Sequence, residues 1–189
     1  MPVRKPILAG ILIGLGAYGS LSLGGLAGAV IFAFGLIGVI ALRVPLYTGF
    51  SGVVKKNQFG ELAAVLLFNI VGSSLVGLAA HYCSDFSTAL QAMVDSRLSG
   101  GAGMAFVKAI GCGMIIDLAV YIAKEKGQML AVVFGVPLFI VCGFYHCVAD
   151  VMYLTASWQW DNGILWFYPT IVIGNFIGCN IRRIMLGWQ

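Results

Sequence analysis

The chain has 189 residues, of which 60% are hydrophobic and 10% charged, far below the ~25% charge of an ordinary soluble domain. A water-facing surface cannot be made from that composition. A bilayer-crossing helix takes about 20 mostly apolar residues, so six spans would use nearly the whole length. The net charge of +4 rests on 11 basic and 7 acidic residues. The basic residues lie between apolar runs, as topology signals do, so a nucleic-acid partner is not expected.

The first apolar run, Ile7 to Leu23, follows Arg4 and Lys5. It reads as a span rather than a secretory signal, because no small-residue cleavage site with a soluble chain behind it follows. The second, Leu26 to Leu46, runs into RVPLYTGFSG, where Pro45, Thr48, Gly49, Ser51 and Gly52 oppose a continuous helix. The third, Leu62 to Ala80, carries Asn69-Ile70-Val71-Gly72. A more polar connection with Asp85, Asp95 and Arg97 leads to the fourth, Ala102 to Ala123, which has Asp117 at its middle. The fifth, Leu130 to Leu154, holds His146 and Asp150, and the sixth, Ile164 to Ile181, carries Asn175-Phe176-Ile177-Gly178.

With the N-terminus in the cytoplasm, the segments on that side hold Arg4, Lys5, Lys55, Lys56, Lys124, Lys126, Arg182 and Arg183. The opposite side holds Arg97 with Asp85, Asp95 and Asp161, while Arg43 and Lys108 lie near span ends where long stems can snorkel. Both termini are therefore expected in the cytoplasm. The Asn-x-x-Gly pattern of the third span recurs 106 residues later in the sixth. Three spans per copy force the second copy to enter from the other side, so residues 1–189 read as one domain with an inverted 3+3 repeat, about 5–82 and about 100–189. The same offset carries Thr48 onto Leu154, beside Thr155, Ser157 and Trp158, and predicts interruptions in both the second and fifth spans. Such breaks must face protein or water. Gly10 and Gly14, Gly24 and Gly28, and Gly174 and Gly178 suit close helix approach.

Thr48, Asp117, His146 and Asp150 are polar residues in apolar spans, and such residues usually face a cavity or one another. Asp150 follows His146 by one helical turn. A nearby carboxylate favours the imidazolium and an apolar setting the neutral ring. A proton relay and a structural hydrogen-bonded pair are equally consistent with the spacing. Asp117 reads as an interhelical hydrogen bond or as a charge on a pathway. His81 lies at a span end and offers no second axial ligand for a haem on His146. The five cysteines lack paired spacing, and no nucleotide loop or base-paired nucleophile is present. Neither enzyme activity, cofactor nor metal is expected.

Four separated stretches, LYTGF, AIGCGMIIDLAVY, GFYHCVADVMY and GNFIG, together resemble the formate/nitrite transporter family, in order and spacing, over nearly the whole chain. The resemblance implies an all-α, aquaporin-like fold of six spans and a homopentamer in the lipid bilayer with one pore per subunit, passing small monovalent anions or their acids. It implies that His146 is the central pore histidine and that Thr48 faces it from the broken second span. It further implies that Phe32, Leu36, Leu46 and Phe139 form two constrictions and that Arg97 is a basic vestibule residue. The chain departs from the family pattern at Gly113, where Asn is usual, at Tyr145, usually Glu, at Asp150, usually Asn, and at Asp117, often Cys. Gly113, Asp117 and Asp150 are accordingly candidates for altered selectivity.

The function expected is a proton-linked channel for a formate-, nitrite-, hydrosulfide- or lactate-like solute in a multi-pass cell membrane, of prokaryotic plasma-membrane type. Two alternatives accompany it: a channel for a neutral or cationic solute such as ammonia, urea or a small amine, made so by the added carboxylates, and a non-transporting scaffold subunit.

Overall fold

Long apolar runs can satisfy their backbone polar groups only internally, and a helix does so within one segment. The computed structural model, which describes residues 2–83 and 87–187, is accordingly helical. Its α-helices are α1 (Arg4–Leu23), α2 (Gly25–Ala41), α3 (Tyr47–Ser51), α4 (Phe59–Cys83), α5 (Ser87–Ser99), α6 (Ala102–Glu125), α7 (Leu130–Val141), α8 (Cys147–Ser157) and α9 (Gly163–Leu186). Four of the helices, namely α1, α4 with its preceding turn, α6 and α9, are long and apolar enough to cross a bilayer. Asp85, assigned above to the far-side connection, lies outside the described residues.

Two chain breaks use the same backbone device. After α2, Leu42 N–H donates to Gly38, Arg43 takes φ 52°, and Val44 N–H reaches back to the Val39 carbonyl. After α7, Cys142 N–H donates to Leu138, Gly143 takes φ 65°, and Phe144 N–H reaches back to the Phe139 carbonyl. This left-handed cap satisfies the last carbonyls of a helix and turns the chain sharply. The chain is then extended at Leu46 and at His146 before α3 and α8 begin.

The second break therefore lies at residues 142–146, not at the Leu154 neighbourhood reached by the constant offset of 106. Leu154 to Ser157 are inside α8, which ends only at Trp158, where φ is 55°. The offset fails because the segment from break to asparagine is longer in the second half: Tyr47 and Asn69 are 22 residues apart, Cys147 and Asn175 28. The difference matches the lengths of the short helices, 5 residues in α3 and 11 in α8.

Packing shows a matching pattern. Helix α1 packs against α4 and α2, while α6 packs against α9 and α7, and α2 meets α7 between the halves. The close approaches need glycine. A Cβ on Gly10 would strike the Asn69 carbonyl, and one on Gly113 the Asn175 carbonyl. Helix α5 packs against α8 and α9, and its Leu90 and Val94 are buried.

Candidate functional site

An extended segment buried among helices exposes N–H and C=O groups that need partners. In the first half Asn69 supplies them. Its Oδ1 accepts from Tyr47 N–H at 2.8 Å, and its Nδ2 donates to the carbonyls of Pro6 at 2.8 Å and Pro45 at 3.2 Å. Asn175 repeats the pattern in the second half, accepting from Cys147 N–H at 2.8 Å and donating to Ala109 at 2.8 Å and Tyr145 at 2.9 Å. Both asparagines are fully buried. The sequence marked them only as signs of duplication. Their position opposite each break identifies them as the clamps that hold Thr48 and His146 in place.

The clamped segments bring Thr48 Oγ1 to 3.1 Å from His146 Nε2. His146 caps α8, with Nδ1 accepting the Ala149 N–H at 3.2 Å. A nitrogen that accepts carries no proton, so the hydrogen-bond pattern assigns a neutral ring protonated on Nε2, which donates to Thr48. Thr48 can turn its own hydroxyl proton elsewhere while accepting this bond.

One cavity is lined by His146, and another by residues that flank Thr48. The first, about 50 Å³, is also lined by Phe32, Phe139, Arg97, Asp150 and the turn at Gly143 among others. Phe32 and Phe139 meet edge to face with centroids 5.6 Å apart, and Phe139 lies 6.1 Å from the imidazole. The other, about 220 Å³, is lined by Leu36, Leu46, Pro45, Gly49, Arg43 and Lys124 among others. The four apolar residues singled out from the sequence thus divide in pairs between the two cavities.

The carboxylates sit differently from a simple His–Asp pair. Asp150 joins His146 only through the helical bond from its N–H to the His146 carbonyl, at 2.9 Å. Its Oδ1 accepts from Arg97 Nε at 2.6 Å. The guanidinium lies 5.1 Å from the ring centroids of both Tyr145 and Tyr153. Burial disfavours the Arg97 charge, but Asp150 together with the Tyr153 and Tyr145 hydroxyls outweighs it and raises the guanidinium's pKa. Asp117 is held by Arg182, with Nε to Oδ2 at 2.7 Å, and Arg182 lies 4.1 Å from the Tyr121 ring centroid. That pair lies beside the end of α3, where a Cβ on Gly52 would meet the Asp117 carboxylate. Gly113 packs on the backbone of Asn175, and its carbonyl accepts from Cys179 Sγ at 3.4 Å.

Lys108 does more than snorkel from a span end. Its Nζ is 3.4 Å from the Tyr145 hydroxyl and 4.9 Å from that ring's centroid. Tyr145, the residue standing where the resemblance led us to expect Glu, is therefore flanked by two cations. His81 is remote from this cluster: its Nδ1 lies 3.0 Å from the Ala156 carbonyl, and its ring stacks on Trp158.

Comparisons with known proteins bear on the whole arrangement. The family described as formate/nitrite transporter matches residues 3–188. The uncharacterized transporter YrhG of Bacillus subtilis is 29% identical over 184 residues, covering 83% of this chain and 68% of that protein. A formate channel of Bacillus thuringiensis is 25% identical over 205 residues, covering 91% and 77%. Among solved structures, an FNT family ion channel superposes with a TM-score of 0.87 at 23% identity, covering 98% of this chain and 88% of the other. A pentameric formate channel with formate bound gives 0.84 at 18% identity, covering 98% and 94%.

Proposed function

This chain belongs to the formate/nitrite transporter family, and from that premise we propose that it passes a small monovalent anion or its conjugate acid through a pore in each subunit of a homopentamer. It is a membrane transport protein. In our reading the spans are α1, α2 with α3, α4, α6, α7 with α8, and α9, arranged as an aquaporin-like inverted 3+3 repeat with both termini in the cytoplasm. The matched caps at residues 42–44 and 142–144 and the matched Asn69 and Asn175 clamps support that repeat.

The observation that carries the reading is the Thr48–His146 contact, with the cavity of Phe32 and Phe139 at His146 and the cavity of Leu36 and Leu46 along the segment that carries Thr48. Apolar rings disfavour a bare charge, so an anion entering them loses hydration and its conjugate acid gains in relative stability. Between the rings, His146 Nε2–H and the Thr48 hydroxyl offer one donor and one adjustable donor-acceptor to a passing solute. Proton linkage through His146 is part of this proposal: the imidazole or water beside it would exchange a proton with the solute.

Proteoliposome flux measurements test it. Formate, nitrite, hydrosulfide and lactate should be carried faster at mildly acidic than at neutral pH, and Thr48→Val should slow them. Absence of flux for all of these solutes would sink the reading.

The alternative of a neutral or cationic solute draws its force from two carboxylates at usually neutral positions. Each of the two has an arginine partner, so neither adds net negative charge to the path. A scaffold role would leave the paired breaks and their clamps without a use.

A further inference from the structure

One buried acceptor beside His146 is used by nothing in the described protein. Asp150 is 1% exposed and lines the 50 Å³ cavity. Its Oδ1 is taken by Arg97, but its Oδ2 has no hydrogen-bond partner. Buried polar atoms rarely stay unsatisfied, so an unpaired carboxylate oxygen on a cavity wall draws a donor. The neighbouring wall from Phe32 and Phe139 offers none.

The charges around the cavity set what kind of donor. Arg97 lines the cavity as well, with Nε on Asp150 Oδ1 and Nη1 on the Met93 carbonyl, so the pair is neutral as a whole and its unused acceptor is Asp150 Oδ2. Lys108 contacts Tyr145 and is not among the residues that form the cavity wall. A free anion would lose its hydration against two phenyl rings and meet that oxygen. An undissociated acid of the same size carries an O–H or S–H that fits it. The cavity has room for a solute of a few heavy atoms at most.

We propose that Asp150 Oδ2 is a selectivity subsite for the proton-bearing form of the solute, accepting the O–H or S–H of a small undissociated acid as it passes Phe32 and Phe139. This rests on the permeation reading above and deepens it. The solute takes its proton from water on the entry side and keeps it through this cavity, so the subsite requires no proton transfer to or from His146.

The other titratable groups facing Asp150 are Tyr153, Cys147 and His146 from its own helix and lead-in, Arg97 from α5, Cys112 from α6 and Tyr168 from α9. From α4, His81 bonds the far end of α8 at Ala156. Among these, Arg97 alone makes an ion pair with Asp150.

The test uses the full chain in proteoliposomes, with formate as the weak acid and nitrate as an anion that stays unprotonated. In the unmodified protein, formate flux at fixed total concentration should fall about tenfold per pH unit above the acid's own pKa, ignore an imposed membrane potential, and not be accompanied by nitrate flux. Asp150→Asn places an N–H where an acceptor stood and leaves the Arg97 charge unbalanced. Potential-driven nitrate flux should then rise about tenfold, the factor that roughly 1.4 kcal/mol of relieved repulsion makes, and the formate pH slope should flatten.

Potential-driven, pH-independent formate flux in the unmodified protein would overturn the subsite and the proton linkage proposed above while leaving permeation of the anion itself intact, and it would mean that only water occupies Oδ2. This arm needs no variant, so it decides the matter even if Asp150→Asn fails to assemble. An unchanged slope with no nitrate flux in an assembled Asp150→Asn protein would also overturn it. Absence of every solute flux would take the permeation reading down first and the subsite with it.

Discussion

The two chain breaks share a backbone plan and differ in what they present. Each begins with a left-handed cap, continues extended, and is clamped by one asparagine making three bonds. At the start of α3 the extended residue is Leu46, whose side chain makes no capping bond and lines the larger cavity. At the start of α8 the extended residue is His146, which caps its own helix and reaches Thr48. The backbone plan recurs while the chemistry does not. One break supplies a titratable ring and the other supplies the hydroxyl that meets it, so the pairing exists only where both halves come together.

Removing a clamp should have the largest effect. Asn175→Ala leaves the Cys147 N–H and the carbonyls of Ala109 and Tyr145 without this partner, and each unsatisfied buried group costs about 1–3 kcal/mol. Their sum approaches the ~5–15 kcal/mol that holds a domain folded. We expect no monodisperse oligomer on size-exclusion chromatography, and the same result for Asn69→Ala. Asn175→Asp keeps the acceptor but loses both donors and should fall between. If one alanine variant assembles normally, the two breaks do not carry equal loads and the comparison fails.

Thr48→Val comes next and acts on the chemistry rather than the scaffold. It keeps the side-chain shape and deletes one buried bond worth about 0.5–1.5 kcal/mol. The oligomer should be retained, with flux in proteoliposomes reduced roughly two- to tenfold. Thr48→Ser should preserve most of the flux. A Val variant as active as the parent would mean that the hydroxyl is there for packing only.

The same contrast explains what could be read from sequence. Hydropathy and helix-breaking residues located the apolar helices and the first break, because both are local signals. Thr48 and His146 stood out as polar groups in apolar runs, and the family resemblance paired them. The second break was misplaced because a repeat offset measured at Asn69 and Asn175 cannot see that α8 is longer than α3. Gly143, in GFYHCVADVMY, was the usable local mark. The ion pairs were not legible, since Arg97 and Asp150 are 53 residues apart and Arg182 and Asp117 65. Only helix packing decides such partners. The segment holding Arg97 reads as a polar connection, whereas α5 is a helix with Leu90 and Val94 buried.

The smallest expected effect tests the caps themselves. Gly143 and Arg43 occupy the same left-handed position, at φ 65° and 52°. A residue with a Cβ is strained there by roughly 1–2 kcal/mol, and glycine is not. Arg43→Gly should therefore raise the thermal midpoint of the detergent-solubilised protein slightly, the relief being partly offset by the greater freedom that glycine gives the unfolded chain. Gly143→Ala should lower it by a little more, because it adds strain next to the cavity without removing any elsewhere. Arg43 also lines the larger cavity, so its retention at a strained position has a functional use if Arg43→Gly is stabler yet carries anion more slowly from that side. Equal stability and equal flux in both variants would show that the two turns are interchangeable in sequence as well as in backbone.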